Sequence, residues 1–302
     1  MKRIIGALAA LLAALFALAS CSARRISPPE NVSVWLRESG EIAVMPYSEY
    51  ITGRVLAQLS PKAEQEALAA AACAANSAAL AELAARNGFR NNGADFSDEL
   101  PVLCGEELEQ AFCGSQRLIN RVSEAVEKGA GYALTVNGEP VCAPMCAVSS
   151  GQTEDVSALM PWVEALPCPL DKGAEGYESS AALTADMVCR ALKKNAPDAV
   201  LHGSGAEWFT EAEYTKAGTL ISVCFGGKAL SGAQLRSALG LRSTCVSISF
   251  EEDRFVFRCK GEGSNTGMSL YTANKMALDG AEMEEILAHF YPAAQLTKCG
   301  QP

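Results

Sequence analysis

Residues 66–85 read EALAAAACAANSAALAELAA, and twelve of the 19 residues in the stretch 67–85 are alanine. Alanine has the highest helix propensity of the twenty amino acids. Ser60 is a residue type that caps helices and Pro61 is tolerated at a first helical position, so the pattern predicts a helix from Pro61 to about Gly88. Because alanine side chains are short, other segments can pack closely around this helix on several sides.

A membrane span is the competing interpretation of the same stretch, because about 20 apolar residues can cross a bilayer. Asn76, Ser77 and Glu82 interrupt the apolar run. Polar side chains are costly in lipid. The sequence therefore favours a buried central helix of a globular domain.

Helices and strand pairs are predicted on both sides of this helix. Asn137-Gly138 is a strong signal for a two-residue hairpin, and Thr184 and Ser231 are residue types that cap helices. Residues 88–116 and 155–182 read as long loops, the first with a short helical piece. The predicted strands are Val32–Leu36, Glu41–Met45, Tyr132–Val136, Glu139–Val148, Thr219–Cys224, Lys228–Leu230, Thr244–Phe250 and Arg254–Cys259. The other predicted helices are Pro46–Leu59, Gln116–Lys128, Thr184–Asn195, Ser231–Leu239, Gly267–Gly280 and Ala281–Tyr291.

The order of these elements predicts the fold class. Helices and strands mix without a regular βαβ alternation, which favours an α+β fold over a doubly wound sheet. We expect mixed helices and antiparallel hairpins around the long Ala-rich helix.

Composition excludes several classes of protein. The chain has 302 residues, 49% of them hydrophobic and 20% charged, which is a globular balance. With 25 Lys and Arg against 35 Asp and Glu, the net charge is −10, which argues against a nucleic-acid partner. The chain has two histidines, so a metal centre built from several histidines is excluded.

The N-terminal residues have the pattern of a bacterial lipoprotein signal. Lys2 and Arg3 precede a run of mostly Ala, Leu, Ile and Phe at 4–20, and Leu18-Ala19-Ser20-Cys21 is similar to a lipobox. In such sequences the cysteine becomes the first residue of the mature chain and carries a lipid on its sulfur. We predict a signal peptide at 1–21, a lipidated Cys21, a tether at 22–31 and one domain at 32–302. This chain would lie on the outer face of the cytoplasmic membrane. Ordinary secretion with an unmodified Cys21 is the alternative.

Eleven further cysteines follow Cys21, and an odd number cannot pair completely within one chain. Their spacings contain no CxxC motif and match no common zinc pattern. Most are interpreted as small buried hydrophobic residues. No metal and no cofactor are predicted.

Catalytic motifs are weak when the residues are considered alone. Ser149-Ser150-Gly151 lacks the frame of a nucleophile elbow. Gly261-x-Gly263 follows a hairpin strand, which does not fit a dinucleotide-binding loop. No decisive catalytic constellation emerges from spacing.

Local segments nevertheless resemble one known family over almost the whole chain after the tether. The match rests on four ordered blocks, and within the second block Glu66-Ala67-Leu68 corresponds to a family Glu-Ala-Leu. The family is stage II sporulation protein D / amidase enhancer. The blocks are Met45–Val55, Ala57–Leu80, Asn137–Pro140 through Ser149–Glu154, and Leu230–Ser243 continuing through Gly267–Ser269 to Tyr291–Pro292.

The resemblance implies an activity on peptidoglycan. Characterised members are lytic transglycosylases that cut glycan strands between N-acetylmuramic acid and N-acetylglucosamine and leave a 1,6-anhydro end. They prefer strands from which a partner amidase has removed the stem peptides, and in spore formers this reaction drives engulfment. One carboxylic acid, the Glu of an Ala-Glu-Met-Pro block, protonates the leaving oxygen and then accepts the proton of the attacking hydroxyl.

Gln58 stands at the position of that acid. An amide donates and accepts hydrogen bonds but cannot deliver a proton. Two interpretations follow. In the first, catalysis is kept because Glu64 or Glu66 replaces the acid or because the correspondence with the family shifts by one or two residues. In the second, the fold is kept and catalysis is lost. Further departures from the family are Ala69, Ala71, Asn76-Ser77-Ala78, Cys146, Gly263-Ser264-Asn265 and Leu270.

The resemblance also implies a cleft where Gln58, the start of the long helix, the 149–154 turn and the 263–269 segment meet. The expected partners are peptidoglycan glycan strands, a cell-wall amidase and, through the lipid anchor, the membrane. Some relatives hold a metal in the loop after the long helix, where Cys104 and Cys113 lie here without a nearby histidine. Besides Gln58, the residues implied to contact glycan are Glu66, Ser149, Gly151, Thr153, Gly267 and Ser269.

Overall fold

The computed structural model describes residues 26–35, 40–90, 102–104, 112 and 115–300. The signal peptide, Cys21, Cys113 and the start of the tether lie outside the described residues. Helices and small, mostly antiparallel sheets share the chain, so the predicted α+β class is confirmed.

The helices and strands are numbered here in chain order. The helices are α1 (Tyr47–Leu56), α2 (Gln65–Arg90), α3 (Gln116–Gly129), α4 (Ala185–Leu192), α5 (Gly232–Leu239), α6 (Leu270–Leu278) and α7 (Met283–Phe290). The strands are β1 (Asn31–Trp35), β2 (Ile42–Pro46), β3 (Val102–Cys104), β4 (Tyr132–Val136), β5 (Glu139–Pro140), β6 (Met145–Cys146), β7 (Glu178–Thr184), β8 (Phe209–Tyr214), β9 (Leu220–Phe225), β10 (Lys228–Ser231), β11 (Val246–Glu251), β12 (Arg254–Lys260), β13 (Met268–Ser269) and β14 (Gln295–Lys298).

Helix α2 is the centre of the larger hydrophobic core. It contacts α1, α3, α6, α7 and β4, and its residues 67–75 are buried. Residues 65–85 are long and apolar enough to cross a membrane, but 72% of the apolar window is buried inside the protein. The prediction of a buried central helix is therefore confirmed.

The predicted start of α2 at Pro61 is wrong, because residues 60–63 form a turn before the helix begins at Gln65. Arg121 on α3 donates to the Ala63 carbonyl oxygen at 2.8 Å. Asn274 on α6 accepts from the Glu64 amide at 2.8 Å, where a local cap was expected. Partners distant in sequence therefore set this boundary.

A second, smaller core lies under the sheets of residues 178–260. Strands β11, β12 and β7 form one sheet and β10, β9 and β8 form another. Their buried faces pack together with α4 and α5. The predicted caps are confirmed, since the hydroxyl of Thr184 accepts from the Met187 amide and that of Ser231 from the Gln234 amide.

Several strands were not predicted. Strand β7 was interpreted as loop, yet it pairs over seven residues with β12, and β3 lies parallel to β1 where a loop with a short helical piece was expected. Strands β8 and β14 were also missed. The hairpin at Asn137-Gly138 is confirmed, with φ of 53° and 81° at the two turn residues, but its second strand ends at Pro140.

Candidate functional site

A surface groove runs beside the end of α1. It consists of two adjoining cavities of about 430 and 390 Å³, and both are lined by Gln58 and Ala147. We call this feature the Gln58 groove. The first cavity is lined by Arg54, Ala57, Gln58, Met145, Cys146, Ala147, Arg236, Glu262, Gly263 and Ser264. The second is lined by Gln58, Leu59, Ser60, Lys62, Ala63, Ala147, Val148, Leu270, Tyr271 and Asn274.

Helix α1 fixes the position of Gln58. The Tyr47 hydroxyl, in the first turn, donates to Asn76 Oδ1 at 2.7 Å, which ties α1 to the middle of α2. At the other end the Gln58 amide donates to the Val55 carbonyl oxygen at 3.1 Å. Gln58 therefore lies in the turn that ends the helix, where its half-buried side chain reaches the groove.

The first cavity is rich in positive charge. Arg54, one helical turn before Gln58, donates to the Tyr50 hydroxyl at 2.9 Å and lies over the Tyr50 ring. Arg236 lines the same cavity. Among the described residues, the one carboxylate lining either cavity is that of Glu262, which forms an ion pair with Arg242. The groove therefore presents guanidinium groups and an amide, all of them hydrogen-bond donors.

Cys146 forms part of the groove lining at the position where the resemblance expects histidine. Burial, and secondarily the negative charge of Asp171, raises the pKa of its thiol far above the ordinary value. The thiolate is the nucleophilic form of cysteine. Cys146 is therefore a neutral, inert thiol here.

Beside the groove, the buried carboxylate of Asp171 organises the 149–154 turn. Its Oδ2 accepts from the Ser149 amide at 2.7 Å. Its Oδ1 accepts from the hydroxyls of Ser269 at 2.9 Å and Thr272 at 2.7 Å. One fully buried side chain thus joins the turn to the start of α6.

Asn265 holds the other side of the same turn. Its Oδ1 accepts from the Ser150 amide at 2.8 Å, and its Nδ2 donates to Glu154 Oε1 at 3.4 Å. Glu154 also accepts from the hydroxyls of Thr215, at 2.7 Å, and of Thr219. We call the 149–154 turn, together with Asp171 and Asn265, the loop platform.

Comparison with known proteins finds similarity to stage II sporulation proteins in both a family model and individual relatives. The sequence model described as stage II sporulation protein matches residues 37–136, which include α1, Gln58 and α2. Stage II sporulation protein D of Bacillus subtilis (strain 168) is 25% identical over 279 residues, which cover 89% of this chain and 80% of that protein. The protein of the same name from Bacillus amyloliquefaciens is 25% identical over 280 residues, covering 89% and 79%. The chain is similar to stage II sporulation protein D over most of its length, and these matches support its assignment to that family.

The predicted glycan-binding residues of this chain fall into two groups. Three of them are fully buried: Ser149, Thr153 and Ser269. Thr153 Oγ1 accepts a hydrogen bond from the Leu166 amide at 2.9 Å. The Ser149 amide and the Ser269 hydroxyl donate hydrogen bonds to the Asp171 carboxylate. The polar atoms of these three residues have partners within the protein and hold the loop platform together, and their contact with glycan stays a prediction.

The two glycines in the prediction have conformational roles. Gly267 has a φ of 72°, and a Cβ there would overlap the Pro144 carbonyl oxygen. Gly151 has a φ of 99°. Such values favour glycine. Neither residue lines the Gln58 groove.

Glu66 faces α3 and α7 and does not line the groove. Lys128 Nζ donates to its two carboxylate oxygens at 2.8 and 2.7 Å, and the Met283 amide donates at 2.8 Å. Burial raises the pKa of Glu66, but these hydrogen bonds outweigh it and hold the pKa below its ordinary value. Glu64 does not line the groove either.

Asp171, Asn265 and Arg54 are the site residues that the sequence did not reveal. Asp171 is one of 35 acidic residues and lies in a loop-rich region without a motif. The sequence could have indicated Arg54, because it lies four residues before Gln58 and therefore shares its helix face.

Proposed function

We propose that this chain is an extracytoplasmic lipoprotein that binds peptidoglycan glycan strands in the Gln58 groove without cleaving them. The observation that carries the proposal is the amide of Gln58 at the junction of the two cavities, at the position where the resemblance implies a carboxylic acid. The match of the family model to residues 37–136, which include Gln58, supports the correspondence.

The chemistry of the groove argues for binding. Cleavage needs a carboxyl group that donates and then accepts a proton, and such groups typically contribute about 10²–10⁴-fold to the rate. Gln58 cannot do this. Glu262 is engaged by Arg242, the Cys146 thiol is neutral, and Glu64 and Glu66 lie outside the groove.

The same groups suit recognition of a sugar chain. The Gln58 amide can donate to and accept from N-acetyl and hydroxyl groups, and the guanidinium groups of Arg54 and Arg236 are donors. The groove is open along the two cavities that meet at Gln58. An anchor at Cys21 would hold it at the outer face of the membrane, next to the wall.

Retention of peptide-free glycan strands tests the proposal. We expect the full chain, purified in detergent, to retain the strands and to release no 1,6-anhydro products. Ala147→Phe should weaken retention about tenfold, because the ring would fill the point where the two cavities meet. Ala229→Phe, on the exposed face of β10, is the matched control and should change nothing.

Retention that is equal in Ala147→Phe and the unsubstituted chain would contradict binding in the groove. A chain that neither retains strands nor forms products would favour recruitment of a cell-wall amidase as its role.

A further inference from the structure

A second open cavity, of about 710 Å³, lies on the other side of the loop platform. We call it the trough. Its volume is within the usual range for ligand sites, about 300–1,000 Å³. Its exposed lining residues are Glu178, Ser180, Tyr214, Lys216, Gly218, Ser247, Arg258 and Lys260, and Ser150 of the loop platform lies at its edge.

The floor of the trough is the outer face of the β7–β12–β11 sheet. Ser180, Arg258 and Ser247 lie opposite one another across the three strands, so their side chains share one face. The adjacent pair Glu178 and Lys260 continues the same face. The alternate residues Phe255 and Phe257 point into the second core, which makes this floor rigid.

The wall of the trough is the turn after β8. The Thr215 amide donates to the Thr219 carbonyl oxygen at 2.9 Å, and the Gly218 amide donates to Thr215 at 3.1 Å. Gly218 has a φ of 88°, which the tight turn requires. Tyr214 and Lys216 flank this turn, and the Tyr214 side chain is 43% exposed.

Three cationic side chains, those of Lys216, Arg258 and Lys260, line the trough against the carboxylate of Glu178, on a protein whose net charge is −10. Arg258 forms two hydrogen bonds of 2.9 Å with the carboxylate of Glu251. Within the described part of the chain, neither Lys216 nor Lys260 lies within ion-pair distance of a carboxylate. Two ammonium groups are therefore available to an anionic ligand.

The remaining groups indicate what kind of anion fits. Tyr214 offers an exposed aromatic ring against which the apolar face of a sugar can pack. The serine hydroxyls of the floor can donate to and accept from sugar hydroxyls. An aromatic ring, hydroxyls and separated ammonium groups together match a saccharide that bears carboxylates.

Two chain segments lead directly from the Gln58 groove to the trough. Val148 and Glu262, which line the groove, exchange backbone hydrogen bonds of 3.1 and 2.7 Å. Ser150, two residues after Val148, and Lys260, two residues before Glu262, line the trough. At about 3.3 Å per residue, the two features begin about 7 Å apart.

We propose that the trough is a second binding site for an acidic saccharide chain, in which Lys216 and Lys260 bind carboxylates and Tyr214 packs against a sugar ring. The identification of that chain with peptidoglycan glycan rests on the proposed function. The muramic acid of peptide-free strands bears a free lactyl carboxylate, whereas an amide-linked stem peptide removes that charge.

The test measures affinities of the full chain for two soluble oligosaccharides of equal length. One alternates N-acetylglucosamine with peptide-free N-acetylmuramic acid, and the other contains N-acetylglucosamine alone. Lys216→Gln with Lys260→Gln should weaken binding of the acidic oligosaccharide about tenfold and reduce its salt dependence, with the neutral one unchanged. Tyr214→Leu should weaken both. Lys193→Gln with Lys194→Gln, exposed after α4, is the matched control and should change neither.

The outcomes separate the two proposals. If the double Lys216/Lys260 variant binds the acidic oligosaccharide as the unsubstituted chain does, the trough proposal is overturned. If it binds more weakly while Ala147→Phe has no effect, the trough stands and binding in the groove is overturned. If the unsubstituted chain binds neither oligosaccharide, both proposals fall. If inorganic polyphosphate binds more tightly than the acidic oligosaccharide, the assignment to a saccharide is overturned.

Discussion

The surface of the Gln58 groove and the loop platform beside it differ in how their polar groups are used. On the groove surface, Gln58 and Cys146 stand where the resemblance expects an acid and a histidine. In the platform, Asp171 accepts three hydrogen bonds and Asn265 holds the Ser150 amide. The platform is thus an ordered frame of satisfied hydrogen bonds, whereas the groove surface carries an amide and a thiol where the resemblance expects groups that react.

The platform is also the costlier part to maintain. Buried polar groups are destabilising unless their hydrogen bonds are satisfied, and a buried carboxylate is an extreme case. Asp171 is fully buried, and the donors around it come from both the 149–154 turn and the start of α6. A frame built in this way couples the two segments next to the groove.

Asp171→Asn should break this comparison most strongly, because one of the two accepting oxygens would become an NH₂ group, a further donor that faces either the Ser149 amide or the hydroxyls of Ser269 and Thr272. We expect the free energy of unfolding to fall by about 2–4 kcal/mol. Urea denaturation of the full chain in detergent measures it. Asp198→Asn, at an exposed position, is the matched control. A loss in Asp171→Asn no larger than in the control would show that the platform does not depend on this carboxylate.

Glu66→Gln should have a smaller effect and sharpens the comparison, since it tests a carboxylate outside both regions. The Lys128 pair is about one-third exposed, so we expect a loss of about 0.5–1 kcal/mol at pH 7. The folded pKa of Glu66 is lowered, so its contribution is present above the unfolded pKa and is lost as pH falls through the folded value. The difference in unfolding free energy between Glu66→Gln and the unsubstituted chain, measured by urea titration, should therefore be largest at pH 7 and should shrink at acidic pH.

Lys128→Gln is the control for this pair and should reproduce the loss at pH 7. A difference between Glu66→Gln and the unsubstituted chain that grew on acidification would contradict the assignment. Retention of glycan should be unchanged in both variants, because neither residue lines the groove or the trough.

Local signals in the sequence predicted much of the fold. The alanine run of α2, the Asn137-Gly138 turn and the Ser231 cap each act within a few residues, and the structure confirms all three. The start of α2 was misplaced because Arg121 and Asn274, about 60 and 210 residues away, determine it. Strand β7 was missed because its residues, Ser and Ala among them, form a strand through pairing with β12.

The site was less predictable than the fold. The resemblance led to Gln58, and Gly263 and Ser264 of the expected 263–269 segment line a cavity with it, whereas no described residue of the 149–154 turn or of α2 lines the groove. Ser149, Thr153 and Ser269 are fully buried, which the sequence did not indicate, and their contact with glycan stays a prediction. Nothing in the local sequence distinguishes Asp171 from other acidic residues, because its role depends on three donors that folding brings together.

Product analysis of Gln58→Glu tests the central claim most directly. The full chain and Gln58→Glu would be incubated with peptide-free glycan strands, and mass spectrometry would count 1,6-anhydro ends. We expect none from the unsubstituted chain and, with the acid restored in an ordered groove, at least about a hundredfold increase over background from Gln58→Glu. Anhydro products from the unsubstituted chain would contradict the claim that this groove binds glycan without cleaving it.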